Sequence, residues 1–135
     1  MVSTKGRYAL RVMLDLAEHN SGAFIPLSEI SRRQGISMKY LEIILKTLVR
    51  ENLLEGRRGK GGGYRLTRPA GEYSVGEILD LTEGTMASVA CLSDAAKECP
   101  REKECKTISM WKKYDAMVHD FFRNISIADL LEDKI

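Results

Sequence analysis

Residues Leu27 to Thr67, LSEISRRQGISMKYLEIILKTLVRENLLEGRRGKGGGYRLT, decide the fold of this chain. Two segments with helical apolar periodicity lie on either side of Gly35, and two short apolar runs then flank a glycine-rich tip. Two helices joined by a glycine-containing turn and followed by a cationic hairpin are typical of a winged helix-turn-helix. The stretch therefore predicts a mainly α-helical fold with a small β-hairpin wing, shaped and charged to enter a DNA groove.

The second helix of this stretch has the clearest start signal in the chain. Ser37 is suited to cap it, because its hydroxyl can accept a hydrogen bond from a first-turn N–H group. Ile36 and Leu41 have the spacing of a hydrophobic staple. The apolar residues that form the core stripe are Leu41, Ile44, Leu45 and Leu48. The residues near the N-terminal end that are predicted to face DNA bases are Ser37, Lys39, Tyr40 and Glu42.

The tip of the hairpin combines glycines with cations. Four of the five residues between Arg58 and Tyr64 are glycine, which lets the backbone approach another molecule closely. The tip does not match a nucleotide-binding loop, because Gly61 follows Lys60 where Ser or Thr is required and a strand follows instead of a helix. A plain hairpin turn is the alternative to a DNA-binding wing. The wing residues predicted to contact DNA are Arg57, Arg58, Gly59, Lys60, Gly61 and Tyr64.

Further helices flank the central stretch. Apolar spacing predicts a first helix over about residues 4–20, and the Ser-x-x-Glu pattern from Ser74 predicts a capped helix that ends near Gly84. Periodicity then fails until a long helix over about 107–123. A short helix over 127–133 follows, and Ser126 is suited to cap it. The predicted organisation is a winged helix-turn-helix domain over 1–84, a cysteine-bearing loop over 85–106, and the long helix with the short C-terminal helix over 107–135.

Charge is unevenly distributed along the 135 residues. Residues 1–70 carry 13 Lys and Arg against 6 Asp and Glu, a net +7, whereas residues 71–135 carry 8 against 13, a net −5. A basic half indicates a polyanionic partner for that half alone. No apolar run approaches the ~18 residues that span a bilayer, and the N-terminus lacks a signal-peptide pattern. We therefore expect a cytoplasmic protein without a membrane partner.

Three cysteines, Cys91, Cys99 and Cys105, lie within a 15-residue polar stretch. An odd number in an intracellular chain disfavours a disulfide framework. Three thiolates on one loop suggest a soft-metal site, either zinc or iron–sulfur, although their spacing matches neither a zinc ribbon nor a ferredoxin. Three unligated thiols are the alternative interpretation.

Four segments together resemble the Rrf-two (Rrf2) family of winged helix regulators. They are Ser3–Arg11 (STKGRYALR), Ile36-Ser37-x-x-Tyr40-Leu41-Glu42, the RRGxGGGY wing at 57–64, and Cys91…Cys99…Cys105 followed by Trp111. The likeness covers nearly the whole chain and is greatest to the IscR type of iron–sulfur cluster regulator. It implies a homodimer that holds one [2Fe–2S] cluster per subunit and controls cluster-biogenesis genes. It also implies that Cys91, Cys99 and Cys105 are the cluster ligands and that Glu42 takes part in cluster-dependent site choice.

The sequence departs from the IscR type near the expected cluster. Ile108 stands where a ligating histidine is usual, and the gap between the first two cysteines is longer than in that group. Arg7 stands where nitric-oxide-sensing members carry an acidic residue. His19 and His119 are predicted to be surface or packing histidines. The fourth ligand is therefore open, and the candidates are Asp94, Glu98, Glu102, Glu104, Ser109, a water molecule and a residue of a partner subunit.

The long helix carries an aromatic-rich apolar stripe, which we expect to be buried against another surface. Its members are Trp111, Tyr114, Val118, Phe121 and Ile125. The family resemblance implies that this helix crosses its counterpart in a dimer, and aromatic anchors are enriched at interface cores. Packing on the winged domain of the same chain is the alternative. A two-fold dimer would place two recognition helices roughly 34 Å apart and predicts a near-palindromic DNA site.

Three functions from different classes follow from these features. The first is a transcription regulator that senses iron–sulfur clusters. The second is a cluster-free regulator of the same family that responds to a cysteine-metabolism signal, thiol redox or a protein partner. The third is an enzyme or a zinc-stabilised adaptor, which the absence of Ser-His-Asp, His-Glu-x-x-His and paired-acid patterns disfavours.

Overall fold

The computed structural model describes residues 1–93 and 99–135. Its helices are α1 (Thr4–Glu18), α2 (Leu27–Gln34), α3 (Met38–Arg50), α4 (Val75–Thr82), α5 (Ile108–Arg123) and α6 (Ile127–Leu131), and its strands are β1 (Leu54–Arg57) and β2 (Gly63–Leu66). This order confirms the predicted fold class, a mainly helical winged helix-turn-helix with one long additional helix. Helices α1, α4 and α6 each end about two residues earlier than the sequence predicted.

The helix-turn-helix is built on one apolar core. The buried residues that α1 and α3 contribute are Ala9, Val12, Met13, Leu16, Leu41, Ile44, Leu45 and Leu48. Gly35 ends α2 in the left-handed conformation, with a φ of 65°, which residues with a Cβ rarely adopt. Ser37 then accepts a hydrogen bond from the Tyr40 N–H, as its predicted capping role requires. The turn thus buries the predicted stripe of α3 and leaves its opposite face at the surface.

The wing is anchored to the helical domain at its base. Strands β1 and β2 pair antiparallel, with Leu54 opposite Leu66 at the open end and Arg57 opposite Gly63 next to the tip. Ile25, in the segment before α2, exchanges two backbone hydrogen bonds of 2.8 and 2.9 Å with Tyr64. Gly63 is required at this crossing, because a Cβ there would overlap the Ile25 carbonyl group and its φ is 143°. The glycine-rich tip therefore projects from a fixed base.

The C-terminal helix returns to the winged core. Ile127 of α6 is fully buried, and its N–H donates to the Tyr73 carbonyl oxygen at 3.0 Å. Ser126 and Asp129 form a reciprocal capping box that starts the helix, which confirms the predicted cap. Contacts with α1 complete the packing of α6. A five-residue helix is marginal alone, so this packing is what holds it.

The capping box predicted at the start of α4 is only half formed. Ser74 accepts a hydrogen bond from the Glu77 N–H at 3.0 Å. The Glu77 carboxylate, however, accepts two hydrogen bonds from the Arg68 guanidinium, at 2.8 and 2.9 Å. A bidentate, charge-assisted pair is stronger than a single bond to a backbone N–H. The Glu77 carboxylate therefore binds Arg68 and not the Ser74 N–H group that a complete capping box would use.

The long helix α5 differs from the other long helices in its burial. It packs against α4, yet none of its residues is buried. Thr107 precedes it without a side-chain cap. Over the two described ranges, every helix is too short or too polar to cross a membrane.

Candidate nucleic-acid interface and cysteine segment

The N-terminal end of α3 presents the residues that the sequence predicted to face DNA. Ser37, Lys39 and Glu42 are exposed, whereas Tyr40 is half-buried. The Tyr40 ring meets the Tyr8 ring of α1 edge to face, with centroids 5.7 Å apart. This contact fixes the orientation of the Tyr40 ring at the protein surface.

The exposed face of α3 continues beyond the predicted residues. Lys46 and Arg50 lie on it, seven and eleven positions after Lys39, and both are exposed. Sequence reasoning did not include these two among the DNA contacts. The signal was available, since both positions lie off the core stripe of a strongly amphipathic helix.

A cationic groove separates α3 from the wing. It has a volume of about 550 Å³, and its lining residues are Lys46, Val49, Arg50, Gly56, Arg57, Arg58 and Tyr64. Four of these seven residues carry a positive charge, and the nearest acidic partner is Glu51, 3.6 Å from Arg50. An exposed pair of that kind contributes little, so the groove keeps a positive potential.

The wing itself is stiffened by arginine and aromatic contacts at its base. The Arg65 guanidinium lies 4.2 Å from the centroid of the Phe24 ring, and Arg57 lies 5.7 Å from it. Arg65 also pairs with Glu55 at 2.9 Å. Among the described residues, Arg58 and Lys60 at the tip form no salt bridge. The charges at the tip are thus available to an external anion, while Arg65 is engaged within the wing.

A buried polar cluster locks α1 to α2. The Asp15 side chain is fully buried and accepts hydrogen bonds from Arg33, at 2.8 and 3.0 Å, and from Gln34, at 2.8 Å. Arg11 in turn donates to the Gln34 side chain and carbonyl group. Burial alone raises the pKa of Asp15, but the hydrogen bonds and the charge of Arg33 outweigh it, so the pKa lies below its usual value. The sequence pattern did not indicate this cluster.

The three cysteines are free thiols and do not converge. Cys91 is exposed, and Cys99 and Cys105 are half-buried. Over residues 1–93 and 99–135, no three His, Cys, Asp or Glu side chains lie close enough together to hold a metal ion. The donor set suits an iron–sulfur cluster, since it supplies three soft thiols, but a cluster would have to draw them together.

Cys105 has a distinct environment just before α5. Its sulfur lies 3.4 Å from the Thr107 hydroxyl. This hydroxyl is the main group that lowers the pKa of the Cys105 thiol. The backbone N–H groups of Thr107 and Ile108 and the charge of Arg101 lower it further. The lowered pKa makes the thiolate, the form that ligates metals and reacts, easier to form at Cys105.

The candidates for a fourth ligand are dispersed. Asp94 and Glu98 lie outside the described residues. Glu104 and Ser109 are exposed, and Glu102 is 3.7 Å from Lys112. His19 and His119, predicted to be surface or packing residues, contact Asp15 and Asp120 respectively, and both are exposed.

Of the five apolar residues predicted as a dimer interface, four lie along one stripe of α5 and Ile125 follows the end of the helix, and the five differ in exposure. Tyr114 and Phe121 are 52% and 57% exposed. Trp111, Val118 and Ile125 are half-buried, and the first two line a groove of about 420 Å³ together with Met1, Val2 and Met86. The exposed apolar face of α5 consists of Met110, Tyr114, Met117 and Phe121. Sequence reasoning missed the two methionines, because it followed the aromatic residues.

Comparisons with known proteins cover the whole chain. Residues 2–133 match the Rrf2 family, described as an iron-dependent transcriptional regulator. The HTH-type transcriptional regulator IscR of Vibrio vulnificus is 35% identical over 133 residues, which are 98% of this chain and 78% of that protein. The solved T. potens IscR is 32% identical with a TM-score of 0.77, covering 100% and 88%. The solved CymR of B. subtilis, named as its global cysteine regulator, is 26% identical with a TM-score of 0.78, covering 100% and 98%.

Proposed function

Because the chain belongs to the Rrf2 family of transcription regulators and is related to IscR, we propose that it senses iron–sulfur cluster status and transmits it to DNA. In this proposal a cytoplasmic homodimer binds a near-palindromic double-stranded site. Cys91, Cys99 and Cys105 hold a [2Fe–2S] cluster in each subunit. The relatives are regulators, and the chain is accordingly a regulator of transcription and not an enzyme.

The cationic surface of the winged domain is the observation that carries DNA binding. Lys46, Arg50, Arg57 and Arg58 line one groove, and Lys39 lies on the same exposed face of α3. A groove of this charge suits a phosphate backbone, with α3 in the major groove and the tip in the adjacent minor groove. In this arrangement Ser37, Lys39, Tyr40 and Glu42 contact base edges, while the wing residues Arg57, Arg58, Gly59, Lys60, Gly61 and Tyr64 contact the backbone.

A titration of Arg58→Ala against salt tests the DNA assignment. Loss of one phosphate contact should weaken binding about tenfold on specific and random duplexes alike and lower the salt slope of log K by about 1. Arg123→Ala, which removes an exposed arginine from α5, is the matched control and should change neither quantity. An unaltered affinity and slope for Arg58→Ala would remove the wing from the mechanism.

The exposed face of α5 supports the homodimer. Met110, Tyr114, Met117 and Phe121 recur at steps of four, three and four residues, the spacing of an apolar seam between two helices. Large apolar side chains are seldom gathered on a solvent-facing helix unless a partner covers them. A second copy brings an identical face, so the two helices satisfy each other under two-fold symmetry.

The thiols support the cluster. When bound, a [2Fe–2S] cluster supplies a redox-sensitive centre whose presence depends on iron supply and oxidants. The chain contributes three soft donors within one segment, one of them with a lowered pKa, between α4 and α5. Drawing the thiols together would order this segment and bias the position of α5 relative to the winged domain, which is a ligand-driven population shift. Ile108 cannot ligate, so the fourth position is weakly held.

A cluster-free regulator is the second candidate, and the separation of the described thiols favours it. The fit of the whole chain to B. subtilis CymR, a cysteine regulator by name, is as good as the fit to T. potens IscR. In that case Cys105, whose pKa is lowered by Thr107, would respond as a thiol.

Anaerobic reconstitution with iron and sulfide separates the two candidates. The cluster regulator should acquire visible absorbance with about two irons and two sulfides per chain, and Cys→Ala changes at any of the three positions should abolish both. A colourless protein that binds no iron but still binds its DNA site tightly would assign the chain to the cluster-free type. Visible spectra before and after exposure to air would test whether the weak fourth position makes the cluster labile.

A further inference from the structure

The exposed face of α3 has an aliphatic side chain at its centre. Lys39, Ile43, Lys46 and Arg50 follow one another at steps of four, three and four residues and therefore lie on one side of the helix. Ile43 is 54% exposed, whereas the next residue, Ile44, is fully buried in the core. Within the described residues, Ile43 is not among the side chains that pack against the hydrophobic core.

We propose that Ile43 is a specificity-determining residue that contacts the C5-methyl group of a thymine in the major groove. This inference rests on the proposed DNA-binding function and names one base that the helix reads. Lys46 and Arg50 follow Ile43 on this face, and their long side chains can reach the phosphates that border the groove. Ile43 and the N-terminal end of α3 then face the base edges. The only apolar group that the major-groove edge of a base pair presents is the thymine methyl group.

The charges around Ile43 favour DNA over a protein partner. Lys39 and Lys46 form no salt bridge with any residue in the described part of the chain. An apolar protein surface would have to desolvate both ammonium groups to cover Ile43, whereas DNA supplies acceptors for both, phosphate oxygens for Lys46 and base-edge acceptors for Lys39. The adjacent Glu42 carboxylate is exposed as well and can accept a hydrogen bond from a cytosine amino group. The face thus offers one apolar and one acidic reader between cations.

Replacement of thymine by uracil tests the contact without changing the protein. Selection from random duplexes with the full-length protein yields its preferred site, and each thymine of that site is then replaced in turn by uracil. The change deletes the methyl group and keeps every hydrogen-bonding group of the base. At one position in each half-site we expect Kd to rise about threefold to tenfold, as loss of one buried methyl-sized contact predicts.

The same duplexes with Ile43→Ala assign the effect to the side chain. The variant should bind the thymine site more weakly than the wild type but should not distinguish thymine from uracil at that position. Ile135→Ala is the matched control, because Ile135 is 69% exposed at the C-terminus, away from α3. It should retain the full uracil penalty. Alanine at an exposed helical position keeps the helix, so loss of folding is not expected.

Four outcomes would overturn the inference. If no uracil duplex weakens the wild type, or if Ile43→Ala keeps the same penalty, then Ile43 does not read a methyl group even though DNA binding stands. If Ile43→Ala changes the oligomeric state and leaves uracil discrimination intact, the side chain serves a protein contact. Failure of the wild type to bind any duplex would instead refute the proposed function, and this inference with it.

Discussion

The winged region, residues 1–84, and the region of the cysteines and α5, residues 85–123, differ in how far they bury their apolar side chains and pair their polar groups. In the winged region, apolar faces are buried and polar groups such as Asp15 and Tyr73 have several partners inside the same chain. In the other region, α5 buries none of its residues, and the described thiols are free. The winged region thus satisfies its apolar and polar groups within the chain. The second region leaves apolar side chains and thiols accessible to a partner or a ligand. Substitutions should therefore affect folding in the first region and association or ligand binding in the second.

The largest loss in the free energy of unfolding is expected when Asp15 is replaced. Asp15→Ala leaves the Arg33 guanidinium without its buried partner and unlocks α2 from α1. Asp15→Ala removes three hydrogen bonds of a buried carboxylate, two of them from Arg33 and one from Gln34, at a cost of about 2–4 kcal/mol; the cost stays below that of a fully buried ion pair because Arg33 is partly exposed. Urea unfolding should show a fall of the free energy of unfolding in that range at pH 7. Glu29→Ala is the control, since Glu29 pairs with the same arginine at 3.2 Å from an exposed position and should cost less than about 1 kcal/mol.

The contribution of Asp15 should also depend on pH in one direction. Its folded pKa is below the usual value, so folding favours the ionised form. The stabilisation is complete above the unfolded pKa of about 3.9 and is lost as the pH falls through the folded pKa. The difference in stability between wild type and Asp15→Ala should thus be level above about pH 5 and shrink in more acidic solution. A difference that grows on acidification would contradict the assigned charge state.

A smaller loss is expected when the Tyr73 hydroxyl is removed. This buried hydroxyl donates to the Leu53 carbonyl at 2.7 Å and accepts from the Thr67 and Arg68 N–H groups at 2.9 and 3.1 Å. Tyr73→Phe leaves the Thr67 and Arg68 N–H groups without this acceptor, at a cost of about 2 kcal/mol, whereas the Leu53 carbonyl still accepts from the Thr67 hydroxyl at 3.1 Å. The midpoint of urea unfolding should fall with an unchanged m-value. Tyr114→Phe, at an exposed ring on α5, should leave the midpoint where it is.

A substitution at Met117 should weaken dimerisation without changing the stability of the folded monomer. This side chain is 72% exposed at the centre of the apolar face of α5. Met117→Asp introduces a charge that a dimer seam would bury without a partner, so sedimentation should show monomers at concentrations where the wild type is dimeric. The unfolding free energy of the monomer should change by less than about 0.5 kcal/mol, as for other surface changes.

The control for Met117 makes the same change at another exposed apolar residue. Ile135→Asp, at the C-terminus, should leave the sedimentation of the wild type unaltered. Met117 is a sharper probe than Trp111, which is half-buried against its own chain and would confuse association with folding. A wild type that is monomeric at micromolar concentration would refute the dimer.

The smallest effect on folding is expected at the cysteines. Cys105→Ala removes a sulfur whose side-chain contact is the Thr107 hydroxyl at 3.4 Å. In metal-free protein the melting temperature should therefore stay within about 2 °C of the wild type, although reconstitution with iron and sulfide should fail. A large destabilisation of the metal-free variant would show that the thiol has a structural role and would weaken the contrast between the two regions.

Local sequence signals predicted much of this molecule. Ser37 and Ser126 marked helix starts because a cap depends on a side chain and an N–H group only two or three residues away. The stripe from Leu41 to Leu48 and the cationic glycine-rich tip likewise express periodicity and composition, which can be read along the chain. The fold class and the surface position of most expected DNA contacts followed from these signals.

The tertiary structure decided what depends on residues distant in sequence. Three contacts join partners that no local pattern pairs. Asp15 binds Arg33, the Tyr73 hydroxyl binds the Leu53 carbonyl at the base of the wing, and Arg68 binds the Glu77 carboxylate. Which residues of the α5 stripe are half-buried and which are exposed depended on where α4 packs. The sequence by itself thus determined which elements form and which face of each is apolar, because those are local properties. Only the tertiary structure decided which polar groups meet and which apolar faces remain open, because that depends on how the elements pack in three dimensions.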